Sequence, residues 1–327
     1  MRTLLNDGSG LTARQCATRS RRCGGHGLPS RASRTAALMA VQRGLESTRP
    51  TPQRLFEDPL ARSFLTVPWR LALGASRFGP VRRIIETAYD LVAGPGPRAS
   101  SIARTKLIDD TVEALAPSVD QVVVLGAGYD TRPYRLNCLS GHQVFEVDQA
   151  GTQAAKTAAL RRAGTGLKGV AFVPVNFEID NLGRALLDAG YRPEHPTLFL
   201  WEGVTQYLSA DAVDGTLSTI HDLAPMGGYV VFTYVDSAAL DKGPSPFPEA
   251  GKWLREVNKR GEPWIFGVIP ADLAGFLTQR GLRLLDDLST AEAGALYFGP
   301  LGRRDRGSGL YHVAIAAIVP KEAVVPK

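Results

Sequence analysis

Apolar positions change their period along this chain, from helical spacing in the first third to short runs separated by helical stretches in the rest. Thr35–Glu46 sets Ala37, Leu38, Val41 and Leu45 on one face, with Ser33 as its cap, and Pro50 and Pro52 end it. A turn at Leu55–Leu60 leads into a short helix, Ala61–Leu65. Val81–Val92 is a further helix, and Gly94-Pro95-Gly96-Pro97 stops it. Ser100 or Ser101 opens a helix to Ala116, with Ile102, Leu107, Ile108, Val112 and Leu115 on its buried side. From residue 121 the pattern predicts strands at Gln121–Leu125, Val144–Val147, Val170–Val175, Thr197–Trp201, Gly228–Val235, Leu282–Asp286 and Tyr311–Val319. Helices fall between them at Thr152–Ala163, Leu182–Ala189, Ala210–Leu223 and Ala271–Arg280. The class is therefore α/β, a mostly parallel sheet with helices on both faces. Residues 33–97 form a helical lid, and 98–327 form the core domain.

Ligands of such sheets bind beyond the carboxyl ends of the strands. Gly126, Asp130, Asp148, Asn176, Glu202 and Asp236 follow strand ends, whereas His195 precedes a strand and sits at the opposite rim. At Gly126-Ala127-Gly128 the missing side chains let the backbone turn sharply and approach a ligand. Glu146 and Asp148 follow about 20 residues later, the spacing that grips ribose hydroxyls in a βαβ nucleotide site. A dinucleotide fingerprint needs a third glycine where Thr131 stands, which argues against a nicotinamide-dependent oxidoreductase. Glu202 ends the apolar run Leu198–Trp201, where it can meet an ammonium, a sulfonium or a substrate proton. Tyr207 shares its loop, and these two are the candidate catalytic residues. Arg104 and Lys106 read equally as solvated charge or as site residues.

Residues 237–268 interrupt the alternation with a proline-rich turn, a helix around Glu249–Lys259 and Pro263-Trp264-Ile265-Phe266. A segment this long inside a compact domain reads as a substrate cover, or as aromatics plugging the end of the core. Tyr207, Tyr234, Trp253 and Trp264 are the candidate acceptor contacts.

Charge narrows the partners. The whole chain carries 38 − 32 = +6, and residues 1–34, with seven arginines and one acid, carry +6 alone. The remainder is neutral, so no nucleic-acid partner is expected. Residues 1–32, rich in Gly, Ser and Arg with little periodicity, are expected to be disordered, and resemble a transit peptide or an over-long start. Cys16, Cys23 and His26 match no zinc spacing, so no metal is expected. No apolar run approaches the roughly 18 to 20 residues of a membrane span, so no membrane partner is expected. Three cysteines suit a reducing cytoplasm. A homo-oligomer is compatible with all of this. Neither a Gly-x-Ser-x-Gly elbow nor a P-loop is present, and the five histidines show no paired ligand spacing.

Ala103-Arg104-Thr105-Lys106-Leu107-Ile108-Asp109, Val123–Arg132 with its Gly126-Ala127-Gly128-Tyr129-Asp130-Thr131, Phe145-Glu146-Val147-Asp148 and Trp201–Leu208 follow one another in order. With the opening Thr35–Pro59 and its Phe56-x-Asp58-Pro59, this series resembles the leucine carboxyl methyltransferase-like family over about residues 33–319. The resemblance implies a seven-stranded Rossmann-like sheet with its last strand antiparallel. It also implies an O-methyltransferase that uses S-adenosylmethionine on a carboxylate or phenolic hydroxyl of a small, polyketide-type metabolite, or on a protein C-terminus. Carried over by motif, Arg104 pairs with the cofactor's methionine carboxylate, Gly126 and Gly128 line its backbone-facing side with Asp130, and Asp148 holds the ribose. Asn176-Phe177 stand where the family has Asp-Leu beside the adenine, and Glu202 faces the amino-acid end. The loss of the acid at Asn176 is the one feature that favours a cofactor-binding regulator without turnover. A carboxylate acceptor is ionised at neutral pH and needs no base, whereas a phenol profits from one.

Overall fold

Seven strands form one sheet: β1 (Gln121–Leu125), β2 (Gln143–Asp148), β3 (Val170–Pro174), β4 (Thr197–Trp201), β5 (Gly228–Val235), β6 (Leu282–Ser289) and β7 (Tyr311–Ile318). Their order is β3-β2-β1-β4-β5-β7-β6, parallel throughout except that β7 runs antiparallel to both β5 and β6. A computed structural model describes residues 34–94, 96–241 and 245–320, all within one compact unit. The basic extension 1–32, with Cys16, Cys23 and His26, lies outside the described residues.

The helices are α1 (Arg34–Ser47), α2 (Val67–Ala75), α3 (Gly79–Ala93), α4 (Pro97–Leu115), α5 (Arg132–Arg135), α6 (Ala150–Arg162), α7 (Leu182–Asp188), α8 (Ala210–Leu223), α9 (Ala250–Lys259), α10 (Leu273–Thr278) and α11 (Thr290–Phe298). All five residues of β1 are buried because helices cover both of its faces. Val123, Phe145 and Phe199 pack with α7, α8 and α10. Their strand neighbours Val122, Val144 and Leu198 pack with α4 and α11 on the other side. Strand alternation thus divides the core into two layers.

Several elements depart from the pattern read in the sequence, among them α5, which it does not predict, and β6, which runs to Ser289 rather than Asp286. Helix α4 starts at Pro97 rather than at Ser100, because a proline in the first turn lacks only an N–H that the helix would leave unpaired. The segments α2 and α11 were not foreseen. The second of these carries a local signal, a capping box in which Ser289 and Glu292 satisfy each other's backbone N–H.

The N-terminal helices rest on the turn after β1. Ala40, Val41, Leu45, Leu65 and Leu73 share a cluster with Tyr129. Beneath them Asp58 is buried and accepts from Arg43 Nε and Thr131 Oγ1, each at 2.8 Å. Thr131, standing where a dinucleotide fold would need glycine, here ties the N-terminal segment to the turn through Asp58. Among the described residues no helix is long and apolar enough to cross a membrane, and no three His, Cys, Asp or Glu side chains group as metal ligands.

Candidate active site

A cavity of about 570 Å³ opens at the carboxyl ends of β1, β2 and β4, beside the point where strand order reverses. Its floor is the glycine turn. Gly126 and Gly128 have φ of +65° and +43°, a region that side chains disfavour. A Cβ on Gly126 would stand 2.2 Å from Val204 Cγ2, so the turn also needs the space.

Asp148 closes one side. Its Oδ2 accepts from the Gly128 N–H and its Oδ1 from the Gln149 N–H, both at 2.6 Å. Burial nevertheless pushes its carboxyl above the usual range. Glu146 points to the same face but lies two residues, about 6.6 Å, deeper along the strand. There it is fully buried and paired with Lys156 at 2.8 Å, so it supports the turn from behind and does not reach the cavity.

At the end of β4 a charge network holds the opposite wall. Glu202 Oε1 accepts from Arg104 Nε and Glu202 Oε2 from Arg132 Nη1, each at 2.7 Å. Arg132 also donates to Asp130 at 2.7 Å and to Asp109 at 2.8 Å. Burial opposes charge on Glu202, but the guanidiniums of Arg132 and Arg104 outweigh it and hold the carboxyl below its ordinary value. A carboxylate with both oxygens engaged by cations is a poor proton acceptor near neutrality. Glu202, a candidate catalytic and cofactor-facing residue in the sequence, is thus held ionised beside Arg104. Arg104 itself stands 5.0 Å over the ring of Tyr311 and donates to Met39 Sδ at 3.4 Å.

The structure brings Arg104, Gly126, Gly128, Asp130, Asp148, Asn176, Phe177, Glu202, Tyr207, Trp253 and Trp264 to this one cavity. Asn176 Oδ1 accepts from the Glu178 N–H at 3.1 Å, and Phe177 leans on Trp201 with ring centroids 6.3 Å apart. Away from the glycine turn the wall is aromatic: Trp253 meets Trp264 edge-on at 6.2 Å, and Trp264 meets Tyr311 at 6.0 Å. Burial, reinforced by the neighbouring Tyr311, pushes the Tyr207 phenol above its usual value, so Tyr207 is a hydrogen-bond donor at neutral pH.

Two sequence-selected residues, Tyr234 and Asp236, stand elsewhere, and His195 stands where its place before a strand put it. Tyr234 is fully buried on the far side of β5, where its hydroxyl donates to Asp287 at 2.7 Å and its ring stacks on His312. Strand alternation turns its neighbour Thr233 toward the cavity side instead, where Thr233 Oγ1 accepts from the Gly203 N–H. Asp236 caps the turn Ser237–Ala239. His195 pairs with Asp120 at 2.9 Å on the opposite rim. Tyr311 lines the cavity together with Tyr207, and the sequence reading missed it. Because β7 is antiparallel, its first residue lies at the carboxyl edge, level with Val235. Antiparallel insertion of the last strand was the available signal.

Comparison with known proteins agrees with this architecture. The family model described as leucine carboxyl methyltransferase matches residues 36–221. Two relatives carry the name "Putative S-adenosyl-L-methionine-dependent methyltransferase". One from Frankia alni is 33% identical over 250 residues, covering 73% of this chain and 82% of that protein. The other, from Streptomyces avermitilis, is 30% identical over 296 residues, covering 86% of this chain and 95% of its own length. A crystal structure of a "putative methyltransferase" from Thermobifida fusca superposes with a TM-score of 0.52 at 19% identity, over 84% of this chain and 97% of that one, and so shares the fold.

Proposed function

The chain belongs to the leucine carboxyl methyltransferase family and is a methyltransferase that uses S-adenosylmethionine; we propose that it methylates the carboxylate of a small, apolar metabolite of polyketide type. The donor set at the cavity supports the cofactor's placement. Asp148 offers acceptors suited to ribose hydroxyls, and Phe177 and Asn176 offer a ring face and an amide suited to adenine. Arg104 and Glu202 together match the two charges of an amino acid, and the bare backbone at Gly126 and Gly128 leaves room for close approach. S-adenosylmethionine, when bound, supplies an electrophilic methyl group on a sulfonium.

The chain's own residues bind, align and exclude water. Glu202 fixes Arg104, and Trp253, Trp264 and Tyr311 wall the acceptor side. Tyr207 is placed to donate a hydrogen bond to an acceptor oxygen. The observation that carries the carboxylate reading is the state of Glu202, bound by two guanidiniums at 2.7 Å in a cavity with no histidine among its described lining residues. An acceptor that is already ionised needs no base. Glu262 favours a second reading: it lines the same cavity, accepts from Thr35 Oγ1, and is placed to take the proton of a phenol.

Formation of S-adenosylhomocysteine across matched aryl carboxylic acids and phenols tests the choice. Turnover of acids is expected, and turnover of phenols alone, abolished in Glu262→Gln, would sink the carboxylate reading. Trp264→Ala should raise the acceptor KM by about tenfold with cofactor affinity unchanged, measured by steady-state kinetics and calorimetry. Asn176→Asp should tighten cofactor binding by about fivefold, because a charged acceptor makes a stronger hydrogen bond than an amide. Equal or weaker binding would place the adenine elsewhere.

A further inference from the structure

The outer face of the lid has a composition found nowhere in the site. Residues 61–85 contain five arginines and no acid, although the chain beyond residue 34 is neutral overall. Four of these, Arg62, Arg70, Arg77 and Arg83, are exposed. Among them stand large apolar side chains that the described residues leave uncovered: Leu71 on α2 is 70% exposed, Phe78 72%, and Ile84 on α3 69%. Val67 and Leu91 are similarly open, and Trp69 is partly so. On α3 the exposed Ile84, Thr87, Ala88 and Leu91 recur at helical spacing, an outward stripe with no partner among the described residues. The acids Glu86 and Asp90 are engaged elsewhere: Glu86 pairs with Arg49 and, at 4.0 Å, with the buried Arg82, and Asp90 pairs with Arg98. A neutral sum thus conceals a local cationic surface.

We propose that the α2–α3 face docks on an anionic lipid surface, its arginines among the phosphate headgroups and Val67, Leu71, Phe78 and Ile84 at the acyl boundary. Interleaved arginines, aromatics and aliphatics are the chemistry of an interfacial anchor. A second copy of the chain fits poorly, since a two-fold contact would set an arginine-only surface against itself. A nucleic acid would meet the arginines but leave the apolar stripe in water. This surface is independent of the methyl-transfer reading. It does bear on the cavity, because Tyr89 and Ala93 on the inner side of α3 line it, so docking would set the cavity wall beside the lipid.

Co-sedimentation of the full chain with phosphatidylglycerol vesicles and with phosphatidylcholine vesicles tests the proposal. Binding to the anionic vesicles is expected, at least tenfold stronger than to the neutral ones. Leu71→Glu with Phe78→Glu, and separately Arg77→Glu with Arg83→Glu, should each weaken it by roughly tenfold or more, given about fivefold per arginine near a charged surface. Both variants keep the N-terminal arginines and alter only exposed side chains, so a loss is assigned to this face. Three results would overturn the proposal: no vesicle binding, undiminished binding by both variants, or a dimer in sedimentation velocity that Leu71→Glu dissociates without any vesicle binding.

Discussion

Asp148→Ala should weaken S-adenosylmethionine binding by roughly 10- to 100-fold in calorimetric titration, the loss of about 1 to 3 kcal/mol that hydrogen bonds to a charged acceptor contribute. Asp148 is already oriented by the N–H groups of Gly128 and Gln149, so little reorganisation is needed to receive two hydroxyls. Affinity should also depend on pH. Burial raises the carboxyl's pKa, and hydroxyl donors favour the ionised form, so binding weakens as pH falls through that raised value. The sign for stability is the reverse. An acid whose folded pKa lies above its unfolded one costs stability once pH rises past the unfolded value, and the cost is complete above the folded value. Asp148→Asn removes that cost but sets an amide NH2 against one of the two backbone N–H donors, and it should bind cofactor more weakly. Unchanged affinity in both variants would remove Asp148 from the site.

The second large effect is on the fold. Glu202→Ala should lower the free energy of unfolding by about 3 kcal/mol, because it strands buried guanidiniums without their counter-charge. Arg132 keeps Asp130 and Asp109, but Arg104 loses the carboxylate it holds at 2.7 Å. Glu202 has a lowered pKa, so its contribution is fully present above the ordinary carboxyl range and is lost as pH falls through the depressed value. The stability difference between parent and Glu202→Gln should accordingly shrink in acid. Chemical denaturation at several pH values measures this. If Glu202→Gln abolished turnover with stability and cofactor affinity intact, Glu202 would be a proton acceptor after all.

Much of this molecule is local in origin and was legible along the chain. The apolar runs at Gln121–Leu125 and Thr197–Trp201 match the strands residue for residue, because a central parallel strand must be apolar on both faces. The turn at Gly126 and the acid at Asp148 are tied to strand ends, and strand ends place them at one edge of the sheet. Other features depend on residues brought together from far along the chain. Glu146 and Asp148 share a face and a charge, and only the approach of Lys156 from α6 makes one a buried support and leaves the other at the cavity. Glu202 has the position of a base but receives Arg104 and Arg132 from two distant segments, and those cations set its proton affinity. Tyr234 and Tyr311 could not be ranked by pattern, since which one faces the cavity depends on strand face and on the reversed direction of β7. The arginines of the lid vanish in a net charge of zero until folding turns Glu86 and Asp90 inward to Arg49 and Arg98. Periodicity and turn chemistry are short-range properties, and they determined the elements and the edge of the sheet where the site lies. Electrostatic pairing and exposure act through space, so the tertiary structure alone decided which side chains at that edge remain available for chemistry.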